Sequence, residues 1–167
     1  MKKLRFFPVV LIIGLAACSG GSEKSNADTA ATVSADTTHK TADTTQMIAP
    51  LPDVPAGAKV FFKNLKDGQT VKSPLKIEFG VEGIALDTAG AIKPASGHHH
   101  LLIDAGDSIA AGTVVPKDST HLHFGKAQTE TEITLTPGEH KLTLQYADGI
   151  HRSYGGKLAA TIKVKVK

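Results

Sequence analysis

Histidine is the residue whose number and spacing in this chain could do chemistry. Eight occur among 167 residues. Three stand in a row in Gly97-His98-His99-His100, running into Leu101-Leu102-Ile103-Asp104, and two more bracket one leucine in His121-Leu122-His123-Phe124. Two histidines at i and i+2 on a strand project to the same side. That makes half of a site for Zn²⁺ or Cu²⁺, which needs ring nitrogens about 2.0 Å from the ion. Softer ligands are scarce. The one cysteine is Cys18 and the two methionines are Met1 and Met47, so a Cu⁺ site is disfavoured in the region that holds the histidines.

The elements that must position these imidazoles read as β-strands. Leu75, Ile77, Phe79 and Val81 alternate with Lys76, Glu78, Gly80 and Glu82, and Leu142, Leu144 and Tyr146 with Lys141, Thr143 and Gln145. Strict period two is the signature of a strand with one face buried. Further strands are expected at 58–62, 98–104, 121–124, 131–136 and 161–167. About seven short strands with turn signals between them predict an all-β, antiparallel sandwich of immunoglobulin-like type. Residues 86–95 and 105–119, rich in Gly, Ala and Thr, are expected to be loops.

Strand parity then sorts the histidines. His99, Leu101 and Ile103 share one face, which should point inward. His98, His100, Leu102 and Asp104 share the other and should point outward to solvent. Leu122 and Phe124 should likewise point in, and His121 and His123 out. If the two strands are neighbours, opposed residues have Cβ atoms about 5 Å apart, and His98, His100, His121 and His123 form the candidate metal set. Asp104 and Glu130 are candidates to orient an imidazole from behind. Two readings stand side by side: a transition-metal site for Zn or Cu, and a metal-free polar cluster that orders the surface. Clustered imidazoles would also repel one another on protonation between about pH 5 and 7. His99 is expected to be a core histidine satisfied by backbone, and His140 a structural one. His39 and His151 receive no role.

The first part of the chain is not fold. Lys2, Lys3 and Arg5 precede a mostly apolar run from Phe6 to Ala17, too short to span a membrane permanently and suited to an export signal over residues 1–17. Leu15-Ala16-Ala17-Cys18 resembles the lipobox of bacterial lipoproteins. The resemblance implies cleavage before Cys18, its lipidation, and a chain anchored to a membrane of the cell envelope, periplasmic or at the outer membrane or cell surface. Losing three signal cations leaves 16 Lys and Arg against 16 Asp and Glu. A net charge of zero offers no basic face, so no nucleic-acid partner is expected. A lipidated Cys18 leaves no thiol for disulfides, metal or nucleophilic catalysis. Residues 18–55 are rich in Ser, Thr, Ala and Asp and predict a disordered tether, on the order of 35 Å root-mean-square. The folded domain is expected over 56–167, enough for one core.

The stretches DGQTVKSPLKIEFGVEG, SGHHHLLID, HLHFGKAQTETEITLTPGEHKLTLQYAD and TIKVKVK resemble a family of uncharacterised bacterial envelope domains, classed as a domain of unknown function. The resemblance covers nearly all of residues 59–167. It implies an extracytoplasmic β-sandwich and no established activity. Its characteristic positions fall here on Gly97, His98, His99, His100, Asp104, His121, His123, Phe124, Gly125, Gln128, Thr129, Glu130, Pro137, Gly138 and His140. Ala127 stands where the family leads one to expect glycine. The family's usual acidic or proline motif after Asp148 is replaced by residues 149–156. No GxSxG, HExxH or phosphate-loop pattern occurs. The chain is therefore not expected to be an enzyme, and no catalytic or organic-cofactor residue is assigned.

Overall fold

A computed structural model describes residues 49–167. The expectations for the signal segment, for Cys18 and for the tether up to residue 48 lie outside the described residues. Nine strands are formed in the described region: β1 (Lys59–Phe62), β2 (Gln69–Val71), β3 (Leu75–Glu82), β4 (Ala85–Leu86), β5 (Ser96–Ile103), β6 (His121–His123), β7 (Glu130–Ile133), β8 (Gly138–Ala147) and β9 (Ala159–Val166). One 3₁₀ turn, Gly155–Leu158, links β8 to β9.

The strands form two sheets. One has the order β1-β3-β7, the other β2-β9-β8-β5-β4, with β6 also paired to β5. Thus β1, β3 and β7 occupy the places of strands A, B and E of an immunoglobulin domain, and β5, β8 and β9 those of C, F and G. The fold is all-β with mainly antiparallel pairing, as the alternation predicts. β2 and β4 are additional to the expected seven strands, and each pairs in parallel, β2 with β9 and β4 with β5. Both have only two or three residues, too few to show a period in sequence.

Alternation decides which side chains meet between the sheets. Ile77 and Phe79 from β3, Leu101 from β5, and Leu142, Leu144 and Tyr146 from β8 are all fully buried in one cluster, with Val164 and Val166 of β9 beside them. Each large apolar side chain so buried is worth about 1.5–3 kcal/mol. The packed region also extends ahead of residue 56. Leu51 and Val54 pack against this core, and the Arg152 guanidinium donates to the carbonyls of Ala49 (2.6 Å) and Pro50 (3.3 Å). Leu51 and Val54 are apolar enough to reward that docking.

The outer face of the larger sheet is not open. On β8, Thr143 and Gln145 point away from the core yet are fully buried. The segment 105–119 is strapped across them. Thr143 Oγ1 donates to Gly106 O (2.7 Å), Ile109 N–H donates to Gln145 Oε1 (2.9 Å), and Ser153 Oγ donates to Ile109 O (2.8 Å). Gln145 Nε2 reaches the carbonyls of Gly155 and Leu158 at 3.2 and 3.3 Å. Buried polar atoms are tolerated here because each finds a backbone partner.

Candidate metal centre

The β5 parity read from the sequence places His99 and Leu101 in the core, and His98 and His100 on the opposite face. β5 lies between β8 and β6, with His98 opposite Ala147, His100 opposite both Gln145 and His123, and Leu102 opposite His121. The two histidine strands are thus neighbours. The expected exposure is corrected, however. His98 and His100 are fully buried rather than on a solvent-facing wall, because the strap and the turn after β8 cover that end of the sheet.

Four imidazoles meet there: His98, His100, His123 and His151. The Nε2 atoms of His98 and His100 face each other at 3.1 Å, and those of His123 and His151 at 3.2 Å. One ring nitrogen from each of His98, His100 and His123 lies within 4.8 Å of the other two. The His98 ring centre is 5.0 Å from that of His123 and 5.1 Å from that of His151. Ligands on a tetrahedral ion with bonds near 2.0 Å stand about 3.3 Å apart. His98, His100 and His123 are thus spaced so that they could hold a metal ion, with His151 beside them.

The glycines of the two motifs make room for this packing. A Cβ on Gly125 would collide with Cε1 and Nε2 of His123, whose ring folds back over the chain. A Cβ on Gly97 would collide with Ala147 O across the β5–β8 pair. Phe124 points the other way and packs on Phe79, with ring centres 4.7 Å apart. One residue thus anchors β6 in the core while its neighbour reaches the cluster.

His151 has no counterpart in the sequence reading. It sits at φ +72° in the turn after β8. Asp148, fully buried, builds that turn: Oδ1 accepts from the N–H of Ile150 (3.1 Å) and Arg152 (2.8 Å), and Oδ2 from the Arg152 guanidinium at 2.8 and 2.7 Å. The signal that could have found His151 is topological. Strands C and F are neighbours in an immunoglobulin fold, so the turn leaving β8 must pass beside the start of β5, where His98 lies.

The remaining sequence candidates lie elsewhere. His121 is on the cluster's face but one residue pair further along, and its Nδ1 is bonded to Asp118 Oδ1 at 2.9 Å. Asp118 also accepts from the Thr120 hydroxyl and N–H, both at 2.8 Å, so a local turn captures the ring. Asp104 orients an imidazole, but it is His140's, with Nδ1 to Oδ2 at 2.8 Å. The other His140 nitrogen meets Thr136 O at 2.9 Å, which makes this histidine structural. Glu130 is exposed and pairs with Lys76 at 3.0 Å. His99 is a core residue as expected, with its ring centre 5.3 Å from that of Phe79 and 5.0 Å from that of Tyr146. The expected backbone partner is absent: neither ring nitrogen makes a hydrogen bond among the described residues.

Burial disfavours the charged form of His98, His100 and His123. Burial, and then the charges of His123 and His151, push His98 down to about 4. Burial pushes His100 down to about 2, with the neighbouring imidazoles adding to it. His123 is lowered as well, by burial first and then by His151 and Lys117. Neutral rings keep a lone pair for a cation. They also leave a buried donor unpaired. In the His98–His100 pair one ring donates Nε2–H, so the other carries its proton on Nδ1, and neither Nδ1 has a hydrogen-bond partner among the described residues. Such a donor costs about 1–3 kcal/mol.

Fold and site together define an immunoglobulin-like sandwich with a partly buried imidazole cluster on its larger sheet, its rings bonded to no carboxylate among the described residues. The chain belongs to the family described as a domain of unknown function, DUF4399, whose model matches residues 77–167. That span holds all four cluster histidines and the strap. No curated protein and no solved structure matches the chain.

Proposed function

We propose that this domain is a metal-binding module of the cell envelope, holding one Zn²⁺ or Cu²⁺ through His98, His100 and His123 with His151 as the fourth ligand. The observation that carries the reading is the convergence of ring nitrogens from two buried and two half-buried imidazoles. An all-imidazole donor set suits borderline dications. The role is one of binding rather than turnover, on a chain anchored to its membrane by lipid at Cys18.

The test is metal analysis and titration calorimetry on the full chain purified without an affinity tag. The expected result is one ion per chain. A His123→Ala/His151→Ala variant should bind roughly 100-fold more weakly or worse, since loss of groups merely behind the ligands already costs 10–100-fold. His121→Ala should bind normally. A chain that stays metal-free after exposure to both ions would sink the proposal. The anchor is tested separately: Cys18→Ala should move the protein out of the membrane fraction.

A second reading is favoured by one observation: the four rings already pair among themselves at 3.1 and 3.2 Å. A metal-free structural cluster predicts that His98→Asn or His123→Asn lowers the melting temperature while neither ion raises it in the parent.

A further inference from the structure

The cluster is closed from behind and open in front. His100, His123 and His151 form one side of a pocket of about 290 Å³ whose other side is Val114, Val115, Pro116 and Lys117 of the strap. Four imidazoles close a tetrahedral Zn²⁺ ion, but a tetragonal Cu²⁺ ion held by them would keep an axial position on the side of that pocket. Four neutral ligands leave its two positive charges uncompensated. The cluster imidazoles make no hydrogen bond to a carboxylate among the described residues. The nearest buried acid, Asp148, has both oxygens committed to Arg152 and to turn N–H groups. Lys117 adds a third positive charge, and has no ion-pair partner among the described residues. Positive charge in a partly desolvated site demands a counter-charge.

The remaining walls give that counter-charge its chemical class. Val114 is exposed at 58% although it is a large apolar residue, Val115 is buried beneath it, and Pro116 completes an apolar strip. The strip is held in place rather than loose: Val115 N–H donates to His151 O at 2.9 Å, and Val114 bridges to Arg152. A bare inorganic anion would leave it uncovered. We infer that the Cu²⁺-loaded cluster takes a small organic carboxylate as an outside ligand, with its oxygen on the ion, its charge shared with Lys117, and its apolar tail against Val114, Val115 and Pro116. This rests on the metal-binding reading above and names what the same site would recognise.

The experiment is a titration of the Cu²⁺-loaded full chain with acetate and with butyrate, followed by the copper absorption band. Both should shift the band. Butyrate should bind more tightly, by about fourfold for each methylene it buries. Lys117→Gln should weaken both carboxylates about tenfold with copper stoichiometry unchanged, and Val114→Ser should erase the preference for butyrate. A Cu²⁺-loaded chain whose band is indifferent to both anions overturns this inference alone. So does a Lys117→Gln chain that binds them as the parent does, or a parent that prefers acetate. A chain that takes up zinc but no copper overturns this inference alone, and one that takes up neither ion overturns the metal-binding reading with it.

Discussion

The two ends of strand β5 use the same side chain in opposite ways. At its start, His98 and His100 meet two further imidazoles with no carboxylate among their partners, and burial drives them towards the neutral form. Just past its end, Asp104 grips His140 and raises its pKa through their hydrogen bond. One end disfavours the proton; the other favours it. An imidazole paired with an acid is a clamp, whereas imidazoles gathered without one are a set that could hold a metal ion.

Acid should break the comparison most visibly. His98 and His99 are held at about 4, and His100 at about 2, against 6.5 when unperturbed. Between those limits the unfolded chain takes up protons that the folded one refuses. Stability therefore falls as pH drops from 6.5 towards 4, by on the order of 3 kcal/mol for an imidazole held at about 4. Several together approach the whole stability of a domain this size. Urea unfolding at pH 7, 5.5 and 4.5 measures it; a flat midpoint would show that the rings are not buried as described. The His140 end behaves in reverse. Its contribution is complete below pH 6.5 and is lost as pH rises through its raised pKa.

Next in size is the turn that presents His151. Asp148→Ala strips Arg152 of its buried partner and should cost about 3–5 kcal/mol, read by chemical denaturation, with weaker metal uptake in the same protein. Gly125→Ala comes third. Its methyl group displaces the His123 ring, and overpacking of this kind costs about 1–3 kcal/mol. Metal affinity should fall more than stability does, which separates a ligand shift from general damage. The smallest effect belongs to the clamp. Asp104→Asn should cost under about 1 kcal/mol, as expected of a pair whose acid is half exposed. It should also return the His140 titration, followed by NMR, to the ordinary range while leaving metal uptake unchanged.

Much of this frame was legible in the residues. Alternation in β3, β8 and β9 fixed the sandwich, and parity in β5 separated His99 from His98 and His100. The strap was readable as a loop but not as a cover, because it is tied down through backbone groups of Gly106, Ile109 and Thr113. Small side chains there give no sign of what lies beneath. His121 shares the parity of His123, yet Asp118 and Thr120, three and one residues earlier, seize its ring. His151 lies outside any strand, where parity is silent and only the neighbour relation of β5 and β8 could place it. Ala127 is consistent with its neighbourhood in the motif: its φ of +57° is a left-handed conformation that favours the glycine expected there.

Arg152 joins two things that sequence distance keeps apart. Its guanidinium is fastened to the carbonyls of Ala49 and Pro50, and the residue before it is His151. Tension arriving along the backbone ahead of Ala49 would be delivered first to this arginine, and through it to the turn that aims an imidazole at the cluster. The segment entering at Ala49 and the His151 ring thus share one mechanical fastening.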